Sequence, residues 1–134
     1  RLEAAKVLRE KINDVFNSNP SANLIVLGDL NDHQNAPSTY EIIGHGKSKL
    51  LDTRHAERNG DDLQASTPAT GVRNVASTAS YSVRATYSRF DYVLLSPGMA
   101  REWIPKETYV LTEPNWGVGS DHRPMVATFT SEDR

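Results

Sequence analysis

The strongest constraint on this chain is an abrupt change at residue 28. Leu24-Ile25-Val26-Leu27 is a continuous apolar run, and Gly28-Asp29-Leu30-Asn31-Asp32 follows it directly. A short unbroken apolar run suits a strand buried on both faces, as in the centre of a layered α/β sheet. Its polar continuation then falls at the strand's carboxyl end, where open α/β sheets place their ligands.

The flanking segments fit the same layered plan. Leu2, Ala5, Leu8, Ile12, Val15 and Phe16 recur at helical spacing, while Arg9, Lys11, Asp14 and Asn17 fall elsewhere and are free to be wet. Asn17-Ser18-Asn19-Pro20 ends that helix. Residues Pro37 to Ile43 predict a short helix closed by Gly44, and Leu50-Leu51 the start of a brief strand. From Arg54 to Ser80 the periodicity fails. Beyond it, Tyr81, Val83, Ala85 and Tyr87 alternate with polar residues, the pattern of a half-buried strand. Tyr92 to Leu95, Thr108 to Leu111 and Met125 to Thr130 predict three more strands.

Three polar clusters abut these strands: Gly28-Asp29-Leu30-Asn31, Arg89-Phe90-Asp91-Tyr92 and Gly119-Ser120-Asp121-His122-Arg123-Pro124. They are far apart in sequence, so only strand ends meeting on one edge of a sheet can join them. Their residue types suit hard-metal chemistry. Asp29 and Asp121 offer oxygen ligands of the kind Mg²⁺ and Mn²⁺ prefer. His122 can move a proton or offset developing charge, and Asp91 can orient it. Asn31 both donates and accepts hydrogen bonds. Each cluster also has a plainer explanation. Asp29 and Asn31 can form a turn and cap a helix, Ser120-Asp121 can be a turn, and Arg89 and Asp91 can be a surface ion pair. His33, His45 and His55 sit among polar neighbours and read as solvated.

Composition removes other classes. The chain has no Cys, which excludes disulfide scaffolds and thiolate metal sites. A net charge of −2 gives no global cationic field for nucleic acid. No run approaches the ~20 apolar residues of a membrane span. There is no P-loop, no H-E-x-x-H and no G-x-S-x-G. An EF-hand starting at Asp29 fails, because Gln34 stands where glycine is required and Tyr40 where glutamate is.

Taken together, the clusters resemble the endonuclease/exonuclease/phosphatase superfamily. Residues Leu24 to Asn31 resemble its strand followed by Gly-Asp-x-Asn. Ser88-Arg89-Phe90-Asp91-Tyr92-Val93 resembles its Ser-Arg-Ile-Asp-Tyr-Ile, and Ser120-Asp121-His122-Arg123-Pro124 its Ser-Asp-His-x-Pro. The three occur in family order, and the resemblance spans essentially the whole chain. It implies an α/β (α+β) fold that is half of a four-layer α/β sandwich: one mainly antiparallel mixed sheet with helices on its outer face.

The resemblance covers only the family's C-terminal half. Residues 1–134 are accordingly expected to be half of a larger domain, lacking the N-terminal Gln-Glu pair whose Glu is the principal metal ligand. The opening on Arg1 agrees, as does an apolar content of 37%, about 39% once Gly is counted and Tyr left out, against ~45–50% for an average domain.

The implied activity is metal-assisted hydrolysis of a phosphoester by in-line attack of water, in a nuclease or phosphodiesterase, with Mg²⁺ or Mn²⁺ as cofactor. Asp29 would orient or deprotonate the water or bind a second metal. Asn31 would hydrogen-bond the phosphate, Asp121 would hold metal, and His122, fixed by Asp91, would stabilise charge. Arg89 and Tyr87 would stand close behind, and Trp116 could stack on substrate or pack its loop. Nothing singles out DNA, RNA, inositol phosphate or a sphingolipid. The alternatives are a family phosphatase or sphingomyelinase and a non-catalytic half-domain that associates with another chain. One sheet face is expected to lack its partner sheet, which predicts an inactive isolated chain, homodimerisation or an unstable monomer.

Overall fold

The apolar run at Tyr92–Leu95 forms the middle of the structure. A computed structural model describes residues 1–56, 58–59, 79–81, 86–111 and 119–131, with backbone only for 58–59, 79–81 and 86–88. In chain order these form α1 (Leu2–Ser18), β1 (Ile25–Asp29), α2 (Pro37–Ile43), β2 (Leu51–Asp52), β3 (Arg58–Asn59), β4 (Ala79–Tyr81), β5 (Thr86–Ser88), β6 (Asp91–Leu95), β7 (Tyr109–Val110) and β8 (Met125–Val126), joined in places by short 3₁₀ turns.

Strand β6 lies between β1 and β2 and runs antiparallel to both. The β1–β6 register runs from Ile25 opposite Leu95 to Asp29 opposite Asp91. The polar end of β1 therefore meets the polar start of β6. Alternation along the strands sends side chains to opposite faces. Val26, Tyr92 and Leu94 join Ala5, Ile12, Phe16, Ile42 and Leu50 under the helices. Ile25, Val93 and Leu95 face Trp103, Met125, Ala127 and Phe129. Leu94 and Leu95 are fully buried, each worth about 1.5–3 kcal/mol relative to exposure.

The mixed α/β character agrees with expectation, but the described strands form three sheets rather than one. β3 pairs parallel with β7, β7 antiparallel with β8, and β4 antiparallel with β5. Strand β6 already has a neighbour on each edge, so the C-terminal segments lie across its face instead of extending its ladder. The alternation read as one strand through residues 81–88 belongs to two, with Tyr81 opposite Thr86.

The expected bare sheet face is largely covered, because residues 99–103 and 125–129 pack over Val93 and Leu95. Leu27 is the exception. It lies on that face, on β1, an edge strand among the described residues, and is 71% exposed. The run expected to be buried on both faces is thus open at this position.

The buried stripe of α1 is Ala5, Arg9, Ile12 and Phe16. Arg9, read from sequence as wet, is 7% exposed, whereas Leu2 and Val15 are exposed. Its Nη1 donates to the carbonyls of Ile42 and Ile43 at 3.1 and 3.2 Å, and its Nη2 to the carbonyl and Oγ of Ser48 at 3.0 and 2.6 Å. Carbonyls at the carboxyl end of a helix have no intrahelical partner; that of Ile43 also accepts the Leu50 N–H at 2.9 Å. Gly44 closes that helix with φ 68°, and a Cβ there would collide with the guanidinium. Between the helices lies a cavity of about 540 Å³, lined by Arg9, Asn13, Tyr40, Glu41 and His45 among others. None of the expected site residues lines it. No helix among the described residues is long and apolar enough to cross a membrane.

Candidate active site

The turn after β1 has two backbone requirements that its sequence meets. Gly28 has φ 144°, a conformation that side-chain-bearing residues rarely adopt. Asn31 has φ 53°, in the left-handed region that Asn tolerates better than most residues. Asp29 stabilises that turn. Its Oδ1 accepts the Asn31 backbone N–H at 2.7 Å, and its Oδ2 accepts the Asn31 side-chain amide at 3.2 Å. The turn expected as the plainer explanation is therefore present, and it also fixes the Asp29 carboxylate at the end of the sheet.

Two further segments meet it there. Asp91, opposite Asp29 across the ladder, accepts the Nδ1–H of His122 at 2.9 Å. This contact requires the tautomer, or the imidazolium, with a proton on Nδ1. Nε2 of His122 lies 4.0 Å from Asp29 Oδ2, within ion-pair reach but beyond hydrogen-bonding range. The His122 side chain is 31% exposed, Asp29 34% and Asp91 21%, so the group is open to solvent on one side. The hydrogen bond that His122 donates to Asp91 is the main reason the His122 pKa is raised; burial opposes it, and the charges of Asp91, Asp29 and Asp121 add to it. His122 is held toward its charged form, facing two carboxylates.

The fold thus brings together Asp29, Asn31, Asp91 and His122. Asp121 is exposed beside His122 in the chain and acts on it through its charge. Arg89 is buried, with its guanidinium carbon 5.4 Å from the ring centre of Tyr92. Trp116 and the side chain of Tyr87 lie outside the described residues. His33, His45 and His55 are exposed, as expected. His33 also leans on Phe90, and His55 meets Trp103 edge-on.

Sequence reading missed the residues that support this group. The Tyr92 hydroxyl donates to the carbonyl of Asp32 at 2.8 Å, and Arg54 stacks over its ring at 4.5 Å while bonding Gln34 at 3.1 Å. Tyr92 lay inside a recognised motif and read only as strand core. Arg54 sits where periodicity fails, and nothing local marks it.

Asp29 and Asp121 are hard oxygen donors, the chemistry a divalent cation requires. Among the described residues, however, no three acidic or histidine side chains converge to hold a metal ion. Among the described residues the donor set does not make a complete metal site.

The sequence of residues 1–117 matches the profile of the endonuclease/exonuclease/phosphatase family. The chain belongs to that family. Membership places it among the phosphoester hydrolases, and Asp29, Asn31, Arg89 and Asp91 lie within the matched residues. Asp121 and His122 lie beyond the matched residues, and the fold brings His122 to the others. Neither a curated protein nor a solved structure matches the chain.

Proposed function

We propose that this family member serves a divalent-metal-dependent phosphoester hydrolase, a nuclease or phosphodiesterase, that acts by in-line attack of water. The observation that carries this reading is His122 between two carboxylates, bonded to Asp91 and 4.0 Å from Asp29. Asp29 accepts the proton of the attacking water. The water oxygen bonds to phosphorus as the bond to the leaving oxygen breaks, and that oxygen takes a proton from solvent. Asn31 hydrogen-bonds the phosphoryl group. The His122 imidazolium offsets its growing negative charge, and Asp91 keeps the imidazole in place. Trp116 is proposed on the substrate side, whereas Arg89, expected to bind substrate, is buried beside Tyr92 and would act from behind the site. Mg²⁺ or Mn²⁺ would take Asp121 and Asp29 as part of its oxygen shell and needs donors beyond the described residues.

A second reading is favoured by that shortage of donors and by Leu27, 71% exposed on β1, an edge strand among the described residues. We read the chain as half of a four-layer sandwich that completes its metal site and its sheet against further polypeptide, with the isolated chain inactive or dimeric. The test is hydrolysis of bis-p-nitrophenyl phosphate, plasmid DNA and inositol phosphates with Mg²⁺ or Mn²⁺. It is run on residues 1–134 alone and on the full-length protein. Activity only in the full-length protein, lost in His122→Ala, supports both readings. Activity in the isolated chain overturns the second, and inactivity of both on every substrate overturns the first.

A further inference from the structure

The site has two arms, and only part of their attachment comes from the strand ladder. One arm is the turn at residues 29–34, which carries Asp29 and Asn31. The other is the start of β6, where Asp91 holds His122. The ladder continues one step past β1, with the Leu30 N–H bonded to the Phe90 carbonyl at 2.9 Å. Beyond that point, side chains fasten the arms. Tyr92, 1% exposed, reaches across to the Asp32 carbonyl at 2.8 Å. The guanidinium of Arg54 lies 4.5 Å above the same ring and donates to Gln34 Oε1 at 3.1 Å. Arg54 is itself rooted in the neighbouring strand. Its backbone N–H bonds Asp52 Oδ1 at 3.0 Å, and its Nε stands 3.8 Å from Asp52 Oδ2.

We propose that Arg54 is a positioning residue for this site, clamping Gln34 in the Asp29–Asn31 arm to Tyr92 in the Asp91 arm. The assignment rests on the phosphoester-hydrolase reading. Arginine suits the task for a geometric reason: a planar guanidinium can stack face-on against a ring while its in-plane N–H groups donate sideways. A lysine ammonium cannot do both in this geometry. Arg54 is bound to three segments at once, the end of β2, the turn after β1 and β6. Loosening it lets Asp29 and Asn31 drift from His122 while leaving the residues themselves unchanged. Small displacements of reacting groups are costly, up to about a hundredfold for 1 Å.

The test uses the full-length protein with Arg54→Met, Arg54→Lys, Gln34→Ala and the Arg54→Met/Gln34→Ala double variant. Gln34 is exposed, so its variant folds even if Arg54→Met does not. Amide hydrogen exchange at Leu30 and Asn31 reads the clamp without reference to activity. The kcat and KM for bis-p-nitrophenyl phosphate read its consequence. The expected result is faster exchange at both amides and a kcat lowered about tenfold or more with KM nearly unchanged. Lysine should rescue little, and the double variant should be no worse than the worse single variant. Unchanged exchange in Gln34→Ala and Arg54→Lys overturns the clamp. Faster exchange with unchanged kcat overturns its role in positioning, as do additive losses. An inactive wild type overturns the hydrolase reading and the catalytic purpose with it, and exchange then decides separately whether Arg54 holds the turn.

Discussion

Asp29 and Asp91 stand directly opposite one another in the antiparallel register of β1 and β6, and His122 lies between their carboxylates, 4.0 Å from one and 2.9 Å from the other. The strand ladder sets this pairing. A one-residue slip would turn one carboxylate to the helix side of the sheet. The register therefore decides which carboxylates face His122.

Asp91→Asn preserves shape and removes the charge that holds the His122 imidazolium. The variant is expected to fold and to lose about a hundredfold or more in kcat for phosphodiester hydrolysis. Steady-state kinetics of the full-length protein checks this. A loss confined to KM would mean that Asp91 acts on substrate binding instead.

The same pair makes stability depend on pH. The His122 pKa is raised in the folded chain, chiefly by its hydrogen bond to Asp91. Its contribution to stability is complete below the unfolded value of about 6.5 and disappears as pH rises through the folded value. Urea denaturation of wild type and Asp91→Asn should give a stability difference that shrinks upward from about pH 6.5. A difference constant across that window contradicts the assignment.

Gly28→Ala tests the turn. A Cβ at Gly28 would meet nothing within 4 Å, so the penalty is conformational, from φ 144°. A cost of about 1–3 kcal/mol is expected in urea denaturation. A neutral substitution would show that the turn relaxes without strain.

Arg9→Met keeps the stem and removes the charged donors to Ile42, Ile43 and Ser48. The Ile42 carbonyl loses its buried donor, while that of Ile43 keeps the Leu50 N–H, so a cost of about 1–3 kcal/mol is expected. The site residues stand on other elements, so the kcat of the folded variant should be unchanged. Denaturation midpoints and kinetics check the two halves of this prediction separately.

These residues also show what the sequence made legible. β1 and the two helices follow from short-range patterns of apolar residues and stop signals, and they lie close to where those patterns put them. Asp29, Asp91 and His122 were recognisable because each sits in a motif attached to a strand. Arg9 was misread because an apolar-only stripe omits a cation at positions 5, 9, 12 and 16, although that spacing lies on the buried face. The bonds that bury it come from residues beyond 40, which helical periodicity cannot register. Arg54 and Gln34 escaped for a similar reason: their roles arise from a meeting of loops. Tyr81 and Tyr87 alternate as one strand would, and only the pairing across 79–81 and 86–88 separates two.

The central claim is that His122, held by Asp91 and facing Asp29, serves phosphoester hydrolysis. The most direct measurement is the rate of bis-p-nitrophenyl phosphate hydrolysis by the full-length protein with Mg²⁺ or Mn²⁺, compared with His122→Gln. Metal-dependent turnover is expected, falling by about a hundredfold or more in the variant while its fold is retained. Turnover unchanged by the loss of the imidazole would contradict it.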